Sequence, residues 1–312
     1  MNNGAFLAVA GALLFVKAQA WSEGAVLWGI TSVDASQMAT VLTINQDTGE
    51  ASVEFQAAIP TGFSPGSLTY HAPSGQLYGL ASNGTQDAYR LLVLSPTDEV
   101  ADSMPITGLP DGESKLSGIE YDPMRDKLLV TFGETNGTEE DRIAELNLDG
   151  TVAQVSPNIG LGDNDAMGWE QTSGRLIACD FNASDGLPRL AELVKIFDKP
   201  AWNGIANPPD RGDVGDVAIN PVNGRFFIAG FVSNGGFLVE LANDYSTYQS
   251  NGAFQSDTQV VGLAFVPSDS TCRGDLNDDD EVDSEDLFEL LSDWGPCQGC
   301  LSDIDGSGGV DS

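Results

Sequence analysis

Residues 68–79 read LTYHAPSGQLYG: an apolar strand, a proline-bearing turn that ends on Gly75, and a second apolar strand from Leu77. The same arrangement, with a polar or proline-bearing turn, returns as IEYDPMRDKLLV over 119–130, GWEQTSGRLIA over 168–178 and VAINPVNGRFFI over 217–228. The turn residues Gly75, Asp126, Gly174 and Gly224 set a period of about fifty residues, within the range that builds propeller blades. Each unit continues into further strands that close on turn signals, as in RLLVLSP from Arg90 and IAELNLDG from Ile143. About four short strands per unit is the blade pattern.

The two ends of this region complete the count. Val26-Leu27-Trp28-Gly29 matches the second strand of a unit that has no first strand, and VGLAFVP over 261–267 is a first strand with nothing after it. Paired in one sheet, they form a fifth blade and remove the open edges that an unclosed array would have to protect. Residues 25–267 therefore read as an all-β, five-bladed β-propeller closed by pairing of its N- and C-terminal strands. A β-sandwich or an open solenoid built from the same strands is the alternative.

Ahead of this region, residues 1–20 read as an export signal. Gly4 to Val16 is an apolar run too short to span a bilayer, and Ala18-Gln19-Ala20 is a small-x-small cleavage site before Trp21. A retained anchor helix is the competing reading. Export predicts a secreted protein, extracellular or in the cell envelope, whose mature chain inserts in no membrane. The charge balance, 13 Lys and Arg against 47 Asp and Glu for a net −34, argues against nucleic acid or an anionic membrane as partner. The single histidine, His71, excludes multi-histidine metal sites.

After Pro267 the composition shifts to acidic residues and three of the four cysteines, so residues 268–312 read as a second module. Its core, DLNDDDEVDSED over 275–286, places oxygen ligands at loop positions 1, 3, 5, 9 and 12 as Asp275, Asn277, Asp279, Asp283 and Asp286. Glu281 offers its backbone carbonyl at position 7. Alternate side chains of a tight loop converge on one point, which suits a hard cation that takes six to eight oxygens, and calcium (Ca2+) is the expected cofactor. Asp280 stands where the sharp turn normally uses glycine, which weakens affinity. A helix should follow, capped by Ser284, striped by Leu287, Leu290, Leu291 and Trp294, and stopped by Gly295-Pro296. The loop recurs with Asp303, Asp305, Ser307 and Asp311 at positions 1, 3, 5 and 9, and Ser312 falls before a position-12 ligand. That incomplete second repeat predicts a coding sequence that continues past Ser312, and about one tight calcium site.

Paired loop-helix repeats of this form, joined by Trp-Gly-Pro-Cys, resemble the dockerin type I domain over residues 272–312. The resemblance implies a small calcium-folded α module that docks its carrier onto a cohesin-like or cell-surface scaffold protein. The hydroxyl pair on which family recognition leans is here Ser284 and Glu285, a departure at the second position. Cys272 and Cys300 each open a repeat and Cys297 closes the first helix, so Cys272 to Cys297 is the natural disulfide staple of a unit too small to hold on its core alone. A Cys297-x-x-Cys300 redox or zinc pair competes with it. Cys179, in Leu176-Ile-Ala-Cys, reads as a buried strand residue.

Catalysis would need a constellation in the propeller. Glu120, Asp122, Glu170 and Asp216 are the candidate carboxylates, since paired acids on inner strands can act as general acid and nucleophile or base in glycoside hydrolysis. Registered on Tyr70, Tyr121, Trp169 and Ile219, these acids fall at different offsets, and Asp122 and Asn220 precede proline in plain turns. His71 reads as a turn residue. The expectation is a secreted, non-catalytic binding propeller with a polysaccharide among its possible ligands, tethered by a calcium-binding module. A tethered glycosidase-type enzyme is the alternative, and a structural envelope protein a third class.

Overall fold

The computed structural model describes residues 24–267 except 84–87, 97–99, 111–113, 135–141, 160–163, 172, 181–188, 199–200, 207–212, 233–234, 243–244, 246 and 254–258, and beyond 267 only residues 291, 295–296 and 309–310. The chain opens with β1 (Ala25–Thr31), β2 (Met38–Ile44) and β3 (Ala51–Ala58). The first complete blade follows as β4 (Ser64–His71), β5 (Gln76–Ser82), β6 (Tyr89–Ser95) and β7 (Val100–Pro105), an antiparallel meander. The next is β8 (Ser114–Asp122), β9 (Lys127–Glu134), β10 (Arg142–Leu146) and β11 (Val152–Val155). Then come β12 (Asn164–Glu170), β13 (Arg175–Asp180), β14 (Arg189–Val194) and β15 (Ala201–Ala206), followed by β16 (Asp213–Ile219), β17 (Phe226–Val232), β18 (Gly235–Leu241) and β19 (Tyr248–Ala253). The last strand, β20 (Val260–Pro267), returns to the start and gives a sheet of order β20-β1-β2-β3.

That return is the predicted closure. β20 pairs antiparallel with β1 in the register Ala25↔Pro267, Leu27↔Phe265 and Gly29↔Leu263. The protein is an all-β propeller of five blades. Five apolar clusters, one at each junction between neighbouring blades, hold the ring: Phe227 and Leu238 of the fourth blade pack with Leu27, Leu263 and Phe265 of the fifth, and Leu129 of the second with Met167 and Ala178 of the third. The other three clusters fill the remaining junctions. A sandwich or an open solenoid would lack one of these interfaces.

Position within the blade explains the strand sequences. Strands near the axis have a blade on each face, so β17 runs FFIAG with every residue from Phe226 to Gly230 buried. The outermost β3 alternates, burying Phe55 and Ala57 while Val53 is 65% exposed. The four turn residues that set the repeat, Gly75, Asp126, Gly174 and Gly224, all have positive φ, between 54° and 73°. Aspartate is one of the few residues with a side chain that tolerates this region, which is why Asp126 can replace glycine in the second blade.

Near the axis the backbones come very close. A Cβ at Gly262 of β20 would lie 2.4 Å from the Gly66 carbonyl oxygen of β4, and one at Gly118 of β8 would lie 3.0 Å from the Ala166 Cα of β12. Glycine is required there for close approach. Cys179 is fully buried in β13, as expected. Of the helix expected over 284–294, Leu291 alone is described and is helical, and the rest of that segment lies outside the described residues; Gly295–Pro296 pairs antiparallel with Gly309–Val310. The export segment 1–20 and the Cys272–Cys297 pairing lie outside the described residues.

Candidate functional site

The ends of the five inner strands converge on one cavity of about 680 Å³ at one end of the propeller axis. The repeat register decides what lines it. Tyr70 faces Leu77, Tyr121 faces Leu128, Trp169 faces Leu176, Ile219 faces Phe226, and Phe265 faces Leu27 in the closing sheet. These five equivalent residues all reach the cavity, and four of them are aromatic. The turns that follow add an outer apolar rim of Pro73, Pro123, Met124 and Pro221, with Met124 61% exposed. Thr69, Gln171, Asp126 and Glu120 supply polar side chains, and among the described residues no lysine or arginine lines the cavity.

The sequence singled out Glu120, Asp122, Glu170 and Asp216, and the structure gives them four different tasks. Asp122 is fully buried and holds its own turn: its Oδ1 accepts from the Met124 N–H at 2.8 Å and the Arg125 N–H at 3.3 Å, while its Oδ2 takes the Arg125 guanidinium. Glu170 closes the end of β12 by accepting from the Ser173 hydroxyl, from Arg175 Nε at 2.8 Å and Nη2 at 2.6 Å, and from the Tyr245 hydroxyl at 3.2 Å. Burial pushes the Glu170 carboxyl up, but the Ser173 hydroxyl and the Arg175 guanidinium outweigh it and hold the group below its ordinary range. Neither residue reaches the cavity.

Asp216 is a pin across the axis. It is fully buried, and its Oδ2 accepts from the Leu68 and Leu263 backbone N–H groups, each at 2.9 Å, while its Oδ1 accepts from the Ser67 hydroxyl at 2.8 Å. The Ser67 oxygen in turn accepts from the Ile119 N–H at 3.0 Å. One side chain thus ties β16 to β4 and β20, and through Ser67 to β8. Burial is the largest influence on its carboxyl and pushes it up to about 7, against the pull of the Leu263, Leu68 and Val217 backbones and the Ser67 hydroxyl.

Glu120 alone of the four lines the cavity. Half-buried among the inner strands, it is pushed well above the usual carboxylate range, first by desolvation and then by the nearby Asp216. The backbones of Tyr121 and Trp169 and the Thr69 hydroxyl hydrogen-bond to it and pull the other way. Glu120 and Asp216 are therefore brought close together, but of the two only Glu120 lines the cavity.

His71 ends β4 and is buried in an edge-on contact with Tyr121, with ring centroids 4.6 Å apart. Its Nδ1 lies 2.7 Å from the Ser74 hydroxyl and its Nε2 3.1 Å from Asp126 Oδ1, so it straps the turn of one blade to that of the next. The Tyr121 hydroxyl donates to the same Asp126 oxygen at 3.0 Å. These two hydrogen bonds hold the Asp126 carboxyl below its ordinary range although its side chain is 68% exposed. His71 is the last residue of the strand and its side chain braces the turn that follows, and its Ser74 neighbour does not line the cavity. Asp126, Gln171 and Phe265 were not among the candidates drawn from the sequence. The blade register that aligns Tyr70 with Trp169 would have found Phe265.

The expected calcium ligands Asp275, Asn277, Asp279, Glu281, Asp283, Asp286, Asp303, Asp305, Ser307 and Asp311 lie outside the described residues. Among the described residues, no group of three or more His, Cys, Asp or Glu side chains could hold a metal ion.

No family model matches the chain, and neither does any curated protein. Solved structures do. A chain of a nidogen/laminin complex aligns at 14% identity over 77% of this chain and 84% of its own, with a TM-score of 0.44. TolB from Acinetobacter baumannii aligns at 11% identity over 77% of this chain and 54% of its own, with a TM-score of 0.43. A putative 6-phosphogluconolactonase from Bacteroides uniformis aligns at 11% identity over 73% and 82%, with a TM-score of 0.43. Likeness at this level says nothing of function.

Proposed function

We propose that this protein is a secreted β-propeller that binds a small, partly apolar ligand in the cavity at one end of its axis without transforming it. A C-terminal calcium-binding, dockerin-like module would tether it to a cohesin-like or cell-surface scaffold protein. The observation that carries the binding reading is the convergence of Tyr70, Tyr121, Trp169 and Phe265 on one concave site with few polar side chains, the usual make-up of a ligand pocket. Hydrolysis of a glycosidic bond needs two carboxyl groups flanking that bond, and of the four acids singled out for that chemistry Asp122, Glu170 and Asp216 are committed to internal hydrogen bonds. A polysaccharide end belongs among the candidate ligands, because aromatic side chains suit the apolar face of a sugar.

The test is a panel of oligosaccharides and small organic molecules, screened in parallel for binding and for product formation, with Trp169→Ala as the site control. Ligand binding that Trp169→Ala abolishes, with no product formed, is the expected result. Turnover that depends on Glu120 would overturn the reading in favour of an enzyme.

A further inference from the structure

The cavity has a sign as well as a shape. Among the described residues its lining carries two carboxyl groups, Glu120 and Asp126, and no basic side chain. The arginines nearest in sequence are already engaged: Arg125 by Asp122, Arg175 by Glu170, and Arg225 by Glu240 at 2.7 Å and Asp47 at 3.0 Å. Lys127, beside Asp126 in the chain, donates to Asn147 Oδ1 at 2.9 Å; Asp126 is hydrogen-bonded to His71 and Tyr121 and keeps its side chain 68% exposed, and the whole chain carries −34. Such a site repels anions.

A bare metal ion is equally ill served. A hard cation needs six or more oxygens, and most of this lining is aromatic and aliphatic carbon. What does match is a cation whose charge is spread beneath hydrocarbon. Aromatic rings attract such a group through their quadrupole, and the carboxylates supply the counter-charge. Resting on the binding function proposed above, we infer that the ligand is an organic cation, an alkylammonium group sheathed in carbon, seated among Tyr70, Tyr121, Trp169 and Phe265 with Asp126 and Glu120 as its counter-charges.

A second signature follows from Glu120. Its carboxyl is pushed well above its ordinary range by burial and by Asp216, and a cation placed beside it favours the ionised form and draws it back down. Over the pH range in which Glu120 titrates, binding of a cation therefore draws off a proton, which a neutral ligand would not do.

The experiment uses the full-length chain at constant calcium, titrated calorimetrically with choline and with its neutral carbon isostere 3,3-dimethylbutan-1-ol. Choline should bind about tenfold more tightly than the isostere, a difference of the size expected for a desolvated cation against aromatic rings. Repeating the titration in buffers of different ionisation heat should show net proton release for choline alone. Glu120→Gln, nearly isosteric, should abolish the proton release and narrow the preference. Equal affinity for the two probes, or binding of neutral saccharides with no response to choline, overturns the organic-cation assignment and leaves the binding function standing. A mouth that takes neither probe and nothing from the wider panel removes both.

Discussion

Asp216 carries the sharpest consequence of any single residue. Its carboxyl titrates near 7 in the folded protein and near 3.8 when unfolded, so between those values the native state holds a proton that the unfolded chain has released. The stability it contributes is fully present below about pH 4 and is lost as pH rises through about 7. Asp216→Asn should flatten that part of the pH dependence. One amide oxygen can still accept from Leu68 and Leu263, and the amide can donate to the Ser67 oxygen. Asp216→Ala should instead leave two buried N–H groups unsatisfied and cost about 3 kcal/mol or more. Denaturant unfolding at about pH 5 and about pH 8 separates the variants; an unchanged pH slope in Asp216→Asn would show that Asp216 does not titrate there. The candidacy of Asp216 was legible in the sequence, but its task was not. Its partners lie on two strands of other blades, β4 and β20, contacts set by how blades sit side by side and not by the period within one. Asp126 was missed for a related reason: the sequence shows a turn residue in the left-handed region, and only the neighbouring blade brings His71 against it.

At the scale of the strand, the inner edge is where sequence tolerates least. Gly262→Ala would press a methyl group onto the Gly66 backbone, which cannot move without shifting β4, whereas Gly168→Ala meets the tip of the Ile219 side chain at 3.0 Å. The first should destabilise by about 3 kcal/mol or more and the second by about 1 kcal/mol, read as shifts in denaturant midpoint. Comparable costs would show that the inner strands can slide apart. Deleting Val261–Pro267 should expose the edges of two neighbouring elements and produce aggregation, while removing everything after Ser270 should leave a cooperatively unfolding ring. This closure was readable beforehand because two orphan half-units, VLWG and VGLAFVP, needed each other. The turn positions were readable because three of the four are glycine, and the fourth, Asp126, is one of the few other residue types that tolerate the same φ. The convergence of Tyr70, Trp169 and Phe265 on one mouth became visible only with the ring closed, since period alone does not say which end of a strand faces a cavity.

At the scale of the whole molecule, the acidic C-terminal segment is expected to fold on calcium, since Asp275, Asp279, Asp283 and Asp286 repel one another without a cation. Far-UV circular dichroism of the full chain should gain helix on calcium addition, and the chain ending at Ser270 should not; identical traces would remove the calcium module from the proposal. The propeller itself has a mechanical asymmetry built into its seal. Ala25 and Pro267 face each other at one end of the β1–β20 ladder, with Thr31 and Val260 at the other. Tension applied to both flanking segments at once would load those hydrogen bonds singly, from that pair inward, as a zipper opens, because antiparallel bonds run perpendicular to the strands. Load entering at Pro267 and leaving through a ligand held at Phe265 would bypass the ladder altogether. A molecule moored by its C-terminal side and pulled at its mouth would keep its ring shut under forces that would peel it open if both ends were gripped.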